Sequence, residues 1–258
     1  MEISKIIIYN EPTVPEINIK KIQEFILETF GIKIQIRDNI FKNLDKKICE
    51  KIASTRIFNL KKSFENHIPT IKEISIELEN KDMSNKEEMI LYDGIELNKI
   101  VRELIPTIEN TQDTLHIIFT NKLTCTFDEN DFRYHARAWV GSNPIIISTT
   151  GIIEAPAKPK QYYLDLMTNF SEEKIEDIKK KYKGEFLEYN DSRISQIVEG
   201  YILQSIFYYE TGEVFCDNNQ CRLFNSHWQK DLLISQIENK KLCKKHEDIL
   251  IKIKNNIF

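Results

Sequence analysis

A chain of 258 residues with 41% hydrophobic side chains is long enough to bury a substantial core. Its 36 basic side chains against 40 acidic ones leave a net charge of -4, which offers no general field for nucleic acid or an anionic membrane. No window approaches the roughly 18 apolar residues of a bilayer span, and the first residues carry no signal-peptide cleavage pattern. Five cysteines, an odd number, suit a reducing compartment better than a disulfide framework, so a cytoplasmic protein is expected.

Ile3 to Tyr9 is a short apolar run closed by Asn10-Glu11-Pro12, the pattern of a buried strand. Ile22, Phe25, Ile26 and Phe30 then recur at helical spacing from Ile19 onward, and Gly31 follows as a C-cap. Residues 32–37 alternate strictly, so the chain opens strand, helix, strand, the start of an α/β sheet with a parallel first pair. Helical patterns cover Phe41 to Ala53 and Ile95 to Ile108, with a weaker strand pattern from Ile71 to Leu78 and an exposed turn over Asn80 to Lys86. Leu115 to Thr120 predicts a buried strand. Arg133 to Val140 and Ile145 to Thr149 predict two more, paired as a hairpin across Gly141-Ser142-Asn143-Pro144. Pro156 and Pro159 then begin a connection. Ser171 to Lys181 has the charge of a surface helix, and Asp191 or Ser192 can cap the next helix, Arg193 to Tyr209. On that helix Ile194, Ile197, Val198, Tyr201, Ile202, Ser205 and Tyr209 line one continuous face.

Strand alternation places Arg133, His135 and Arg137 on one side, where two guanidiniums beside an imidazole suit a carboxylate or phosphate. A charged edge strand that resists aggregation gives the same pattern. His135 is also a candidate metal ligand with Glu199, Glu210 or His227, although Glu199 and Glu210 lie three helical turns apart, too far to hold one ion together. Asp128-Glu129-Asn130-Asp131 lacks the glycine and distal glutamate of a calcium loop and reads as a turn. Cys125 has no histidine at helical or hairpin spacing to activate it. No phosphate loop or dinucleotide fingerprint is present.

The most informative stretch runs Cys216, four residues, Cys221, twenty-one residues, then Cys243-Lys244-Lys245-His246. Two close pairs of soft or borderline ligands at this spacing are the pattern of a structural zinc site. His227, just before Trp228, competes with His246 as the fourth ligand, and the closer Cys-x-x-His pairing favours His246.

The segment from Tyr209 to Leu250 resembles the end of an archaemetzincin, a metzincin zinc protease. In that family HExxHxxGxxH is followed by a cysteine, four residues, a second cysteine, an FSNS-like stretch and a final CxxC. Gly212, Cys216, Cys221, Phe224-Asn225-Ser226 and Cys243-Lys244-Lys245-His246 fall in register with it. The chain is also similar to an archaeal family of metallopeptidase homologues with a degenerate catalytic motif. The resemblance implies an α/β (α+β) fold: a metzincin-like twisted mixed β-sheet packed with helices, followed by a C-terminal zinc knuckle. It divides the chain into a sheet subdomain, 1–190, and a helix-plus-zinc subdomain, 191–258, within one compact unit. Anchored on Cys216, the family's three zinc-binding histidines fall on Ser205, Tyr209 and Phe215, and its general-base glutamate on Ile206. Phe215 and Ile206 carry no lone pair, and a hydroxyl or phenol binds zinc poorly near neutral pH. The expectation is therefore one structural zinc and a non-catalytic protein whose former cleft, bordered by Arg133, His135, Arg137 and Glu199, binds a peptide or a partner protein. The competing reading is a divergent hydrolase rebuilt around His135, Glu199, Ser205 and Tyr209.

Overall fold

The computed structural model describes residues 2–79, 89–169 and 171–255; the expected turn at 80–86 lies outside them. The opening follows the sequence pattern. Strand β1 (Lys5–Tyr9) leads into α1 (Ile19–Phe30), which Asn18 caps by accepting from the Lys21 amide, and Gly31 ends it in the left-handed region at φ 73°. Strand β2 (Ile34–Arg37) pairs parallel with β1.

The next segment departs from expectation. The helical pattern from Phe41 becomes α2 only at Lys46 (Lys46–Ser54), because Asp45 caps there through the Ile48 amide. The strand expected over 71–78 is instead α3 (Ile71–Glu79). Its isoleucines suggested a strand, but Thr70 and Glu73 form a reciprocal capping box, the Thr70 amide donating to Glu73 Oε2 and the Glu73 amide to Thr70 Oγ1. Strand β3 (Leu91–Asp93) runs directly into α4 (Gly94–Leu104), capped by Asp93. Pro106 disfavours helix at Ile105, so the pattern read to Ile108 breaks and only a 3-10 turn follows at Thr107–Glu109.

Strands β4 (Thr114–Thr120), β5 (Leu123–Asp128), β6 (Arg133–Arg137), β7 (Trp139–Val140) and β8 (Ile145–Ser148) complete two sheets. The larger has the order β2-β1-β4-β8-β7, parallel except for its edge strand β7; the smaller is β3-β5-β6. The stretch expected as one strand over 133–140 thus serves both sheets. Its first half pairs with β5 and only its second half forms the hairpin with β8. Two short helices were not anticipated around the prolines, α5 (Thr149–Glu154), capped by Ser148, and α6 (Lys160–Thr168). Helix α7 (Glu172–Lys181) matches the charged surface helix.

Helix α8 (Ile194–Thr211) is the centre of the main core. Asp191 turns the chain into it by accepting from the Arg193 amide. One apolar face was expected, yet every residue from Ile197 to Phe207 is buried, so α8 is covered all round rather than lying on the surface. The sheet, α1 and α5 cover part of it, and α9 (Gln229–Leu233), a π-helical turn at Ile234–Asn239 and α10 (Lys244–Asn255) cover the rest. The Gln236 amide lies directly against Gly200, where any Cβ would collide with it. A second tie is ionic: Glu77 of α3, nearly fully buried, accepts from Lys122 Nζ at 2.6 Å, Arg56 Nη2 at 2.6 Å and the Tyr92 hydroxyl at 2.8 Å.

Candidate metal centre and the cleft face of α8

After α8 ends at Gly212, the chain folds into a tight knuckle. The Cys216 amide donates to the Leu223 carbonyl at 2.8 Å and the Cys221 amide to the Asn218 carbonyl at 2.9 Å. This loop turns both thiols to the same side. Cys243 sits just before α10 and His246 in its first turn, the three-residue spacing placing both on one face. The Sγ atoms of Cys216, Cys221 and Cys243 and a ring nitrogen of His246 all lie within 4.8 Å of one another. Cys216 Sγ and Cys243 Sγ are 3.8 Å apart, and His246 Nδ1 lies 3.6 Å from Cys221 Sγ and 3.1 Å from Cys243 Sγ. A tetrahedral zinc with Zn–S bonds of about 2.3 Å separates its sulfurs by about 3.8 Å, so the set fits that ion.

The surroundings aim amides at sulfur and favour a neutral imidazole. The Asn218 amide points at Cys216 Sγ at 3.4 Å and the Cys243 amide at Cys221 Sγ at 3.3 Å. Burial pushes the Cys221 thiol up to about 12 and raises Cys216, so a cation is needed to deprotonate them. Burial acts the same way on Cys243, but amide donors from His246 and Lys245 and the adjacent thiols outweigh it and leave that thiol below its ordinary value. Burial, then Lys245, hold the His246 imidazole below its usual value. Nδ1 faces the sulfurs and Nε2 lies 3.5 Å from Glu213 Oε2, an outer carboxylate that fixes ring orientation and tautomer. Lys245 holds Glu213 in turn at 2.7 Å. His227 is not in this group; it is exposed, and its carbonyl accepts from the Ala157 amide.

The face of α8 where the resemblance sets the catalytic ligands is built differently. Ser205 is fully buried and its hydroxyl is engaged twice, donating to the Tyr201 carbonyl at 2.7 Å and accepting from Trp139 Nε1 at 3.0 Å. Ile206 is core. Tyr209 reaches the other way and donates to the Gln112 carbonyl at 2.8 Å. Phe215 lies at the rim, its ring in an edge contact with Trp139, whose indole also meets Tyr208 edge-on. Of these groups, Trp139 and Phe215 line a small cleft of about 70 Å³, together with Arg137, Tyr201, Phe224 and His227; Ser205, Ile206 and Tyr209 do not reach it. Two or so waters fill such a volume.

The other candidates do not converge on it. Among Arg133, His135 and Arg137, only Arg137 lines the cleft, and its Nε donates to Thr126 Oγ1 at 2.7 Å. His135 pairs with Asp131 at 2.8 Å at the β5–β6 hairpin, where Asp128 completes a second donor group. Arg133 stands directly across from Asp128 in the strand register. Glu199 is buried against Arg222 Nη2 at 3.3 Å, and Arg222 also donates to the Gln196 carbonyl. Glu210 accepts from the Glu2 and Ile3 amides and anchors the start of β1. Burial pushes the Cys125 thiol up to about 12, far from nucleophilic. Sequence reasoning missed Trp139, whose indole sits over the first ligand position from 66 residues away.

A sequence profile described as "Probable metallopeptidase family (DUF6775)" matches residues 2–253. No curated protein matches the chain. Among solved structures it is similar to an archaemetzincin from Methanopyrus kandleri, with 9% identity, 98% of this chain and 97% of that one covered, and a TM-score of 0.49. It is also similar to a zinc-dependent peptidase from Methanocorpusculum labreanum, with 12% identity, 95% and 98% covered, and a TM-score of 0.45.

Proposed function

The chain belongs to this metallopeptidase family, and we propose that it is a non-catalytic member: a zinc-stabilised protein whose former cleft holds a peptide or a segment of a partner protein. The single observation that carries the reading is the engagement of Ser205 by Trp139 and Tyr201, which puts an indole and a saturated hydroxyl where a metal ligand is needed. A catalytic zinc requires three donors, an open position for water and a nearby base. The positions where the resemblance sets these groups offer a buried serine, an isoleucine, a tyrosine turned to a backbone carbonyl, and a phenylalanine.

Zinc has a different role at the knuckle. Three thiolates and one imidazole fill a tetrahedral shell with protein atoms and leave no coordination position for a substrate, the mark of a structural site. Cys216, Cys221, Cys243 and His246 hold this one ion, and it links the loop after α8 to α10. The divergent-hydrolase alternative needs His135, Glu199, Ser205 and Tyr209 to act together, and their hydrogen-bond partners lie in separate parts of the fold. No helix among the described residues is long and apolar enough to cross a membrane; the cytoplasm, with no nucleic-acid or membrane partner, is the setting proposed.

Elemental analysis of protein purified without added metal tests the reading. One zinc per chain, three thiols protected from a native thiol reagent, and no hydrolysis of a mixed peptide library support it. Two zinc ions per chain, or peptide hydrolysis that disappears in His135→Ala or Tyr209→Phe, would overturn it.

A further inference from the structure

A second and much larger hollow adjoins the cleft. Residues 155–159 run beside residues 226–229, joined by a parallel bridge at Ala157 and Trp228, the Ala157 amide donating to the His227 carbonyl and the Gln229 amide to the Ala157 carbonyl, both at 2.8 Å. The cleft takes Ala155, Pro156, Ser226 and His227 from this pair of segments. Past the bridge, Ala157, Pro159 and Trp228 line a groove of about 680 Å³ together with Leu233, Ile234 and Gly184. The two hollows therefore follow one another along the same paired segments. The groove has the size of a ligand site.

Its chemistry is specific in sign. Ala157, Pro159, Leu233 and Ile234 make much of its lining apolar, and the Trp228 ring is 45% exposed beside them. Around it stand Glu185, Asp231 and Glu238 against the single amine of Lys230. None of the three carboxylates has a hydrogen-bond or ion-pair partner among the described residues, while most other acids near this part of the chain, such as Asp165, Asp191 and Glu199, are engaged. Unpaired carboxylates beside an open indole favour a cation on an apolar stem, since the indole face attracts an ammonium or guanidinium and the apolar floor takes its methylenes.

We infer that this groove binds an extended peptide segment carrying basic side chains, the same chain that crosses the cleft. The inference rests on the reading of the cleft as a peptide-binding site and adds the class of peptide and the place where its charge is read.

The two tryptophans of the sequence fall one in each hollow, Trp139 in the cleft and Trp228 in the groove, so each is a local reporter. Trp139→Phe leaves Trp228 as sole emitter, and Trp228→Phe leaves Trp139; circular dichroism confirms that each is folded. The probes are acetyl-Ala-Arg-Leu-Arg-Ala-amide and the same peptide with glutamate for arginine. The expected result is a saturable change of Trp228 emission with the arginine peptide, at least ten-fold weaker with the glutamate peptide, and at least ten-fold weakened by Asp231→Lys combined with Glu238→Lys. The milder pair Asp231→Asn and Glu238→Gln should weaken it several-fold if the reversed charges impair folding. A response of Trp139 alone would overturn the groove and leave the cleft reading standing. Equal responses to both peptides, or none at Trp228, would also overturn the groove.

Discussion

The C-terminal half of α8 and the knuckle beyond it present opposite outcomes for positions where the resemblance sets zinc chemistry. Beyond its C-terminus, Cys216, Cys221, Cys243 and His246 keep four donors converged, with amides aimed at sulfur and Glu213 behind the imidazole. Two to three turns earlier, Ser205, Ile206 and Tyr209 take part in packing and hydrogen bonding. The difference follows from how each region is held together. The knuckle brings three thiols and an imidazole together, a set whose binding of an ion would couple to its folding. The helix is buried on every side from Ile197 to Phe207 and is held by apolar packing.

The comparison breaks most directly at the knuckle. Cys221→Ser should leave the protein insoluble, or lower its thermal midpoint by at least about 10 °C, with chelation of the wild type giving the same loss, because the binding energy of a structural zinc is folding energy; calorimetry with and without chelator is the check. A fully folded serine variant would remove the metal from the account of the fold.

A purely ionic tie should rank next. Glu199→Ala leaves Arg222 charged, buried and unpaired, which costs about 3–5 kcal/mol. Urea unfolding measures it. The cost should be independent of zinc content, which separates the helix from the knuckle.

Acid should act through the other buried cluster. At Glu77 burial alone would raise the carboxyl, but Lys122 and Arg56 outweigh it and hold the group below its ordinary value. A carboxyl depressed in the folded state contributes fully above its unfolded pKa of about 4.3 and loses that contribution as pH falls through the lower folded value. Stability measured by urea titration should therefore fall below about pH 4, and the fall should be shallower in Glu77→Gln, whose stability at pH 7 is lower from the outset.

The outer carboxylate sharpens the comparison further. Glu213→Gln keeps all four donors but weakens the orientation of His246, and zinc affinity in competition with a chromophoric chelator should drop about 10–100-fold. Smallest is Trp139→Phe, which removes the donor to Ser205 while leaving the bond to Tyr201, at a cost of about 1 kcal/mol by urea unfolding and with no gain of metal.

Local periodicity made β1, α1, β2 and β4 legible, because each buries one repeating set of side chains. Other signals were present and passed over. Leu123, Cys125 and Phe127 alternate with Thr124, Thr126 and Asp128 as a strand requires, and the Thr70-x-x-Glu73 box marks α3 against its isoleucines. The division of 133–140 between two sheets was not legible, since the same alternation serves either partner. At the candidate site, the spacing of Cys216, Cys221, Cys243 and His246 carried its own geometry. The fate of Ser205 depended on an indole distant in sequence, which no local pattern encodes.

The order of the chain has a consequence for synthesis. The surfaces that cover one side of α8, including Leu223, Leu232, Leu233 and Ile253, all come after it, and the metal shell closes only when Cys243 and His246 have been made. A ribosome adding about 5–20 residues each second thus leaves the most apolar helix of the nascent protein half naked for several seconds. The last cover of α8 therefore comes with the same residues that complete the candidate metal shell.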